Sequence, residues 1–294
     1  MKKILIAGGT GLVGKRLALR LIEKGYDVSI LSREPKGSNH FYWNPAKKEI
    51  DRSVLNKVDT LINLSGAGIA DKKWSHERKL ELQNSRVGTN VFLYSLVDQM
   101  PNLKQFICAS GINAYGYNDA KIYSETDEFG SDFLSQLVRV WELSAEQFST
   151  KCKVAKIRTA MVLSSKGGAL GRLLPVIRFG LGSGIGKGTQ ASPWIHMDDL
   201  VEMYVFAIEK ELDGSYNALA GYDSNYDLMK SLAQTLRKPY WLPNVPGFVM
   251  RRLFGEMALM LLNGVRASNE KITETGFVFK FSNLKEALND LLKK

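Results

Sequence analysis

The sequence predicts an α/β protein, an open and doubly wound parallel sheet carrying a smaller C-terminal lobe. Two observations lead there. Short apolar runs alternate with longer amphipathic ones through the first half of the chain, the pattern of strands joined by crossover helices. Residues 8–14, GGTGLVG, set glycines at three-residue spacing between the first apolar run, KILIA, and the first amphipathic one, KRLALRLIEKGY. Glycines so placed mark a point where the backbone must come close to something.

Strands are expected over residues 3–8, 27–32, 60–66, 105–110 and 153–159, whose continuous apolar character suits a parallel sheet covered on both faces. Between them, residues 14–25, 77–99 and 132–148 carry helical spacing, giving βαβ units with right-handed crossovers. Further on, 196–211 and 225–237 read as helices and 238–247, KPYWLPNVPG, as a proline-marked loop. Another helix is expected over 248–264, and the tail SNLKEALNDLLKK forms a last amphipathic one. The expected organisation is a sheet domain over 1–220, with part of 165–195 in a substrate lobe, and a helical subdomain over 221–294. No internal repeat or low-complexity linker separates the two.

Composition narrows the function. The 294 residues are 45% hydrophobic and 24% charged, ordinary for a globular chain, and no run of apolar residues is long enough for a membrane span. The start MKKILIAGG imitates a signal peptide, but glycines interrupt its apolar run at once and it reads as a strand. Cys108 and Cys152 lie in apolar segments as reduced thiols, and His40, His76 and His196 lack metal-ligand spacing, so no metal site is expected. The net charge of +10 is carried by scattered lysines and arginines. A solvated basic surface accounts for it more simply than a nucleic-acid face. A cytoplasmic protein is expected, monomer or homodimer, with a small-molecule substrate and no nucleic-acid or membrane partner.

In the glycine loop, Gly8 permits the tight turn, Gly11 lets the backbone approach a pyrophosphate, and Gly14 allows helix and sheet to pack closely. The N–H groups that open the following helix, over Thr10, Gly11, Leu12 and Val13, then face the anion. The second strand ends in Ser32 and Arg33, where an NAD enzyme of this fold places an acidic residue for the ribose hydroxyls. A hydroxyl and a guanidinium suit a 2′-phosphate instead, so the expected cofactor is NADP, with NADPH preferred over NADH.

Written G-x-x-G-x-x-G, the loop resembles that of the extended short-chain dehydrogenases/reductases, the sugar epimerase and dehydratase group, a Rossmann-type fold. The resemblance runs from residue 1 to about 220. Asn63-Leu64-Ser65-Gly66 resembles the family's N-x-A-G element beside the adenosine and ribose, and Trp194-Ile195-His196-Met197-Asp198-Asp199 its I-H-V-D-D element. The aspartates of the latter also suit the start of a helix, the plainer role for His196, Asp198 and Asp199.

Reductases of this superfamily pair a Tyr-x-x-x-Lys with a serine, the lysine lowering the tyrosine pKa for proton exchange. The serine element is present in CASGINAYG, with Ser110 at a strand end and Tyr115 after it. The pair is not. In DFLSQLVRVWELSAEQF the tyrosine position falls on Val138 and the lysine position on Glu142. This absence, with NLSGAGI, KKWSHERKLELQNSRVGT, IRTAMVLSSKGGAL, PWIHMDDL and the tail from GEMALMLLNG onward, resembles one atypical branch, the YfcH-like "epimerase family" proteins. The match covers nearly the whole chain and departs at RASNEK, where the branch usually has a proline. It implies that Ser32 and Arg33 hold the adenosine 2′-phosphate and that Leu64, Ser65 and Gly66 line the adenosine path. It also puts Glu81, Arg86 and Val162 near the cofactor.

Two functions are therefore expected. One is an NADP-dependent oxidoreductase or epimerase-like enzyme in which Ser110 binds the reacting oxygen and Tyr115, or Glu142 through water, moves the proton, with Arg158 and Lys73 available to orient. Glu142 has an alternative as a surface carboxylate paired with Arg139. The other is a non-catalytic NADP(H)-binding redox sensor or accessory protein, which the missing pair favours. Tyr240 and Trp241 point to a small-molecule pocket, whereas Met250, Met257 and Met260 suit core packing.

Overall fold

The computed structural model describes residues 1–293. Its main sheet is formed by β1 (Lys3–Ala7), β2 (Asp27–Ser32), β3 (His40–Asn44), β4 (Glu49–Ile50), β5 (Thr60–Asn63) and β6 (Gln105–Gly111). After β7 (Asn118–Tyr123), which stands apart, β8 (Lys153–Thr159) rejoins it; β9 (Met161–Leu163) and β10 (Ala191–His196) do not, and β11 (Gly214–Ala218) completes it. The order is β11-β8-β6-β5-β1-β2-β3-β4, and every pairing is parallel except β3 with β4. The chain runs outward from β1 through β2 and β3, then returns to β5 on its other side. The switch point lies between β1 and β5, where open α/β sheets hold ligands beyond their strand ends.

Side chains alternate across the sheet as period-two geometry requires. Ile4 and Ile6 of β1 pack with Leu17 and Leu21 of α1 (Leu12–Glu23) and with Leu200, Val201 and Tyr204 from farther along. Leu5 and Ala7 face the other way, toward Phe92, Phe106, Trp141 and Phe148. That second layer is α3 (Thr89–Tyr94) and α4 (Phe133–Glu146), and α2 (His76–Gln83) packs on α4 through Leu82 against Leu134 and Leu137. The helix expected over 77–99 is thus broken: a π-helical turn over Asn84–Gly88 joins α2 to α3. The strand expected over 60–66 stops at Asn63, because its side chain accepts from Ser65 N at 3.0 Å and turns the chain.

The lobe is built from α5 (Gly168–Arg178), the small sheet β12-β10-β9 with β12 at Gly221–Ser224, and α7 (Asn225–Thr235), which follows α6 (Met197–Glu209). The helix expected over 248–264 is two, α8 (Gly247–Phe254) and α9 (Ala258–Leu262), parted at Gly255 with φ +59. Of its methionines, Met250 and Met257 are buried, and Met260 packs on Leu82, Leu134 and Leu137. Strand β13 (Val265–Ala267) pairs with β7, and after α10 (Glu270–Glu274) the helix α11 (Leu284–Leu292) seats Leu284, Ala287 and Leu288 against α7. Segments from both sides of residue 220 therefore share one small sheet.

The IHMDD stretch fastens this tail. His196 caps α6, its Nδ1 accepting from Asp198 N at 3.1 Å, and its ring lies against Phe281 with centroids 3.9 Å apart. Buried Asp199 accepts from Lys280 N at 2.8 Å and Phe281 N at 3.0 Å. Burial lowers the pKa of His196 and raises that of Asp199, so the histidine is neutral at pH 7.

Helix α1 meets the glycine loop backbone to backbone, with no room for a side chain. A Cβ on Gly14 would stand 2.3 Å from Gly8 O and 2.7 Å from Gly9 Cα. Alanine ordinarily stabilises a helix by about 1 kcal/mol over glycine. Gly14→Ala reverses that sign here and destabilises by about 1–3 kcal/mol, the cost of overpacking. Urea unfolding beside Gly171→Ala, where a Cβ meets nothing within 4 Å, checks it.

Candidate functional site

The C-terminal ends of β1, β2 and β5 form the first half of the site. Gly8 has φ +80, and a Cβ there would sit 2.8 Å from the Leu64 carbonyl carbon and 2.9 Å from Ser65 N. Its carbonyl accepts from Gly11 N at 3.0 Å. Gly11 is the N-cap of α1 and gives no side-chain cap, and no acidic residue lies in the first turn. The opening N–H groups, beside exposed Thr10, thus have neither a capping oxygen nor a local carboxylate. Leu12 and Val13 are half-buried, and the methyls of Leu12 lie beneath Gly167 and Gly168. Val162 packs against the same core cluster as Leu12.

At the end of β2, Ser32 is buried and its hydroxyl is engaged locally, donating to Glu34 O at 3.0 Å and accepting from Glu34 N at 3.1 Å. Arg33 is exposed, and its guanidinium has no hydrogen bond or ion pair among the described residues. The Glu34 carboxylate faces Lys36 instead, at 3.6 Å.

The loop after β5 rests on two buried arginines. Arg86, carried on the π-helical turn, donates to Ala67 O at 2.9 Å and Leu82 O at 3.1 Å and lies over the Trp141 ring. A Cβ on Gly66 would touch its guanidinium at 3.1 Å. No carboxylate pairs with Arg86 among the described residues, and its Nε has no partner. Burial, with help from the Arg78 charge, pulls its pKa down to about 10. Arg78 donates to Gly68 O and to Glu81 at 2.6 Å, and this ion pair holds exposed Glu81 below the usual carboxylate range. Arg86 is thus no surface ion-pair residue among the described residues. Its buried cation still lacks a counter-ion, a costly state that an anion relieves.

The ends of β6 and β8 form the second half. Register sets Ser110 beside Arg158. Glu142 from α4 is buried under them and takes a two-pronged grip from Arg158, both contacts 2.8 Å. It also accepts from Ser110 Oγ at 2.5 Å and Ser215 Oγ at 3.2 Å. Its partner is therefore Arg158 and not Arg139, which is exposed. Burial opposes ionisation of Glu142, but the Arg158 fork outweighs it and holds the carboxyl below its ordinary value. Tyr115, also buried, accepts from Arg158 at 2.8 Å and donates to Asn217 Oδ1 at 2.6 Å. Burial pushes its phenol up to about 12. Val138 packs beside Tyr115 and Gly111. Lys73 is exposed and away from this cluster of contacts, and Trp241 stands largely in solvent.

Two family models match the chain: "NAD dependent epimerase/dehydratase family" over residues 4–218, and "Domain of unknown function (DUF1731)" over 245–291. The chain belongs to the NAD dependent epimerase/dehydratase family. Among its relatives are the mouse epimerase family protein SDR39U1, 32% identical over 99% of both chains, and a Staphylococcus aureus epimerase family protein, SA0724, 33% identical over the full length of both. The crystal structure of human SDR39U1 (isoform 2) with NADPH superposes with TM-score 0.92 at 29% identity, covering 99% of each chain. A nucleoside-diphosphate sugar epimerase from Corynebacterium glutamicum superposes with TM-score 0.82 at 27% identity, covering 99% of this chain and 58% of that one.

The residues present fit a dinucleotide of this family. Gly8 and Gly14 make a cradle that any side chain would fill, α1 opens onto it without a capping side chain, and Arg86 and Arg33 have no carboxylate partner among the described residues. Among the described residues no cluster suits a metal ion. Sequence reasoning missed Arg78, which hides within an ordinary amphipathic helix, and Asn217, which only strand order brings to Tyr115.

The Glu142–Arg158 pair sets a pH and mutational signature. Because the Glu142 pKa is lower in the folded chain, its stabilisation is present above the ordinary value of 4.5 and is lost as pH falls through the lower folded value. Glu142→Ala leaves Arg158 buried and unpaired and destabilises by about 3–5 kcal/mol at neutral pH. Thermal melts of both proteins from neutral to acid pH converge as the wild-type carboxyl protonates.

Proposed function

We propose that this protein binds NADPH across the glycine loop and acts as an oxidoreductase or epimerase-like enzyme on a small polar substrate. The observation that supports it best is the unpaired charge. Arg33, at the end of β2, has no ion pair or hydrogen bond among the described residues, and buried Arg86 beside Gly66 has no carboxylate partner among them. The human relative of the same fold, solved with NADPH, agrees with this reading. Bound there, the nicotinamide would supply or accept a hydride. Gly8, Thr10, Gly11, Leu12 and Val13 would hold the pyrophosphate, Ser32 and Arg33 the 2′-phosphate end, and Leu64, Ser65, Gly66 and Val162 the walls. Glu81 serves by holding Arg78 in place.

Catalysis without the Tyr-x-x-x-Lys pair falls to Ser110. Its hydroxyl hydrogen is committed to Glu142, so its free lone pairs accept from a substrate hydroxyl and orient it. Glu142 is the proton acceptor behind Ser110, and Tyr115 holds the Arg158 fork from the far side. The second reading, a non-catalytic NADP(H)-binding sensor or accessory protein, is favoured by one feature of this floor. Glu142 is held ionised, Arg158 charged and Tyr115 protonated at neutral pH, and Val138 carries no proton to give.

Calorimetric titration tests the binding step. NADPH binds more tightly than NADH, and Arg33→Ala weakens NADPH by about 1–3 kcal/mol, the scale of a charged hydrogen bond, while leaving NADH nearly unchanged. Equal losses for both remove Arg33 from the 2′-phosphate. NADP⁺ reduction assayed against pooled alcohols and sugar nucleotides tests the chemistry, the hydride passing to the nicotinamide and the hydroxyl proton through Ser110 to Glu142. Ser110→Ala lowers kcat/KM by about tenfold or more without weakening NADPH. Binding without turnover of any pool favours the sensor.

A further inference from the structure

Charge is spread unevenly along this chain. No carboxylate residue occurs between Glu146 and Asp198, and none between Asp227 and Glu256. The fold brings these two acid-free stretches together. Ile185 bridges Val245 in parallel, Gly186 N donates to Val245 O at 2.9 Å, and Val245 N donates to Gly184 O at 2.8 Å. At one end of this seam Gly180 abuts Pro239, and Gly182 abuts Tyr240.

Large apolar side chains stand in solvent along it: Phe179 is 82% exposed, Trp241 71%, Phe248 70% and Leu181 54%. The cations beside them, Arg178, Lys187, Arg237, Lys238 and Arg251, are exposed and have no side-chain ion pair or hydrogen bond among the described residues. The contrast with the face of α1 and α6 is direct. There Arg16, Arg20 and Lys24 are matched by Asp198, Glu202 and Glu209.

Exposed aromatic and aliphatic groups together mark an interaction site, and unmatched cations around them call for an anionic occupant. A second copy carries the same positive seam and is repelled. Nucleic acid offers bases to stack on Phe179 and Trp241, but Leu181 gains nothing from stacking. A bilayer takes both kinds of apolar group. We propose that this seam is a docking face for an anionic lipid surface: Phe179, Leu181, Trp241 and Phe248 enter the headgroup boundary while the cations meet acidic headgroups. No helix among the described residues is long and apolar enough to cross a membrane, and a surface contact requires none.

Co-sedimentation of the full chain with vesicles of phosphatidylcholine, with and without phosphatidylglycerol, tests this. The protein pellets with the acidic vesicles alone and is released by high salt. Arg178→Ser/Lys238→Ser reduces partitioning about thirtyfold, from roughly one headgroup interaction lost per cation. Phe179→Ser/Trp241→Ser weakens partitioning to the acidic vesicles severalfold in the same assay. Both double variants change solvent-exposed positions, and unaltered circular-dichroism melts establish that they fold. Absence of binding to acidic vesicles at low salt overturns the proposal. So does equal binding by the Phe179→Ser/Trp241→Ser protein. Capture by a single-stranded oligonucleotide with no vesicle binding also overturns it and gives the face to nucleic acid.

Discussion

The structure depends on how closely α1 can approach the end of β1. Gly14 lies against the backbone of Gly8 and Gly9 with no room for a methyl group, and Gly8 itself bends through a positive φ against Leu64 and Ser65. These contacts fix the angle at which α1 leaves the sheet and bring the ends of β1 and β5 together at the switch point. They also leave the first N–H groups of α1 facing outward over a surface of backbone alone. A cradle of this kind has no side chain that can swing in to satisfy it, so its polar groups await solvent or a ligand.

Three buried arginines among the described residues meet the cost of burial in different ways. Arg158 is neutralised by Glu142, and the remaining oxygens and protons of the pair are occupied by Ser110, Ser215 and Tyr115. Arg78 has a single carboxylate, Glu81, reaching in from the exposed side of α2. Arg86 has only carbonyls, the Ser85 hydroxyl and the face of Trp141. A guanidinium left in that condition is expensive as structure and useful as an anion receptor. Of the three, Arg86 is the one that touches the loop after β5 at Gly66.

Much of this was legible in the sequence because the signals are local. Strand, glycine loop and helix follow one another within a short stretch, and the absence of Tyr-x-x-x-Lys can be read along one helix. What stayed hidden depends on long-range pairing. Glu142 invites a partner one turn away at Arg139, and only the β6–β8 register brings Arg158 there instead. The helix expected over 77–99 has unbroken periodicity, so nothing local announces the π-helical turn that presents Arg86. Asp199 resembles an ordinary first-turn acid of a helix, yet its two oxygens hold the backbone of the tail at Lys280 and Phe281, far away in sequence.

Val138 and Glu142, where the sequence reading expects the superfamily's Tyr-x-x-x-Lys pair, are woven into their surroundings. A lysine restored at 142 would lie buried beside the Arg158 guanidinium, now without its carboxylate, and two like charges in a desolvated site repel strongly. Its neighbour would lower the lysine's pKa and leave Ser110 and Ser215 without an acceptor. A tyrosine at 138 would have to displace the packing of Val138 against Tyr115 and Gly111. Recovering the superfamily's proton relay therefore requires Arg158 to change as well, with Tyr115 and Asn217 adjusting behind it. The floor of this site is a different electrostatic solution, neutral as a unit and closed on its far side. The two hydroxyls on its carboxylate, Ser110 and Ser215, both spend their protons on Glu142 and keep lone pairs to accept with.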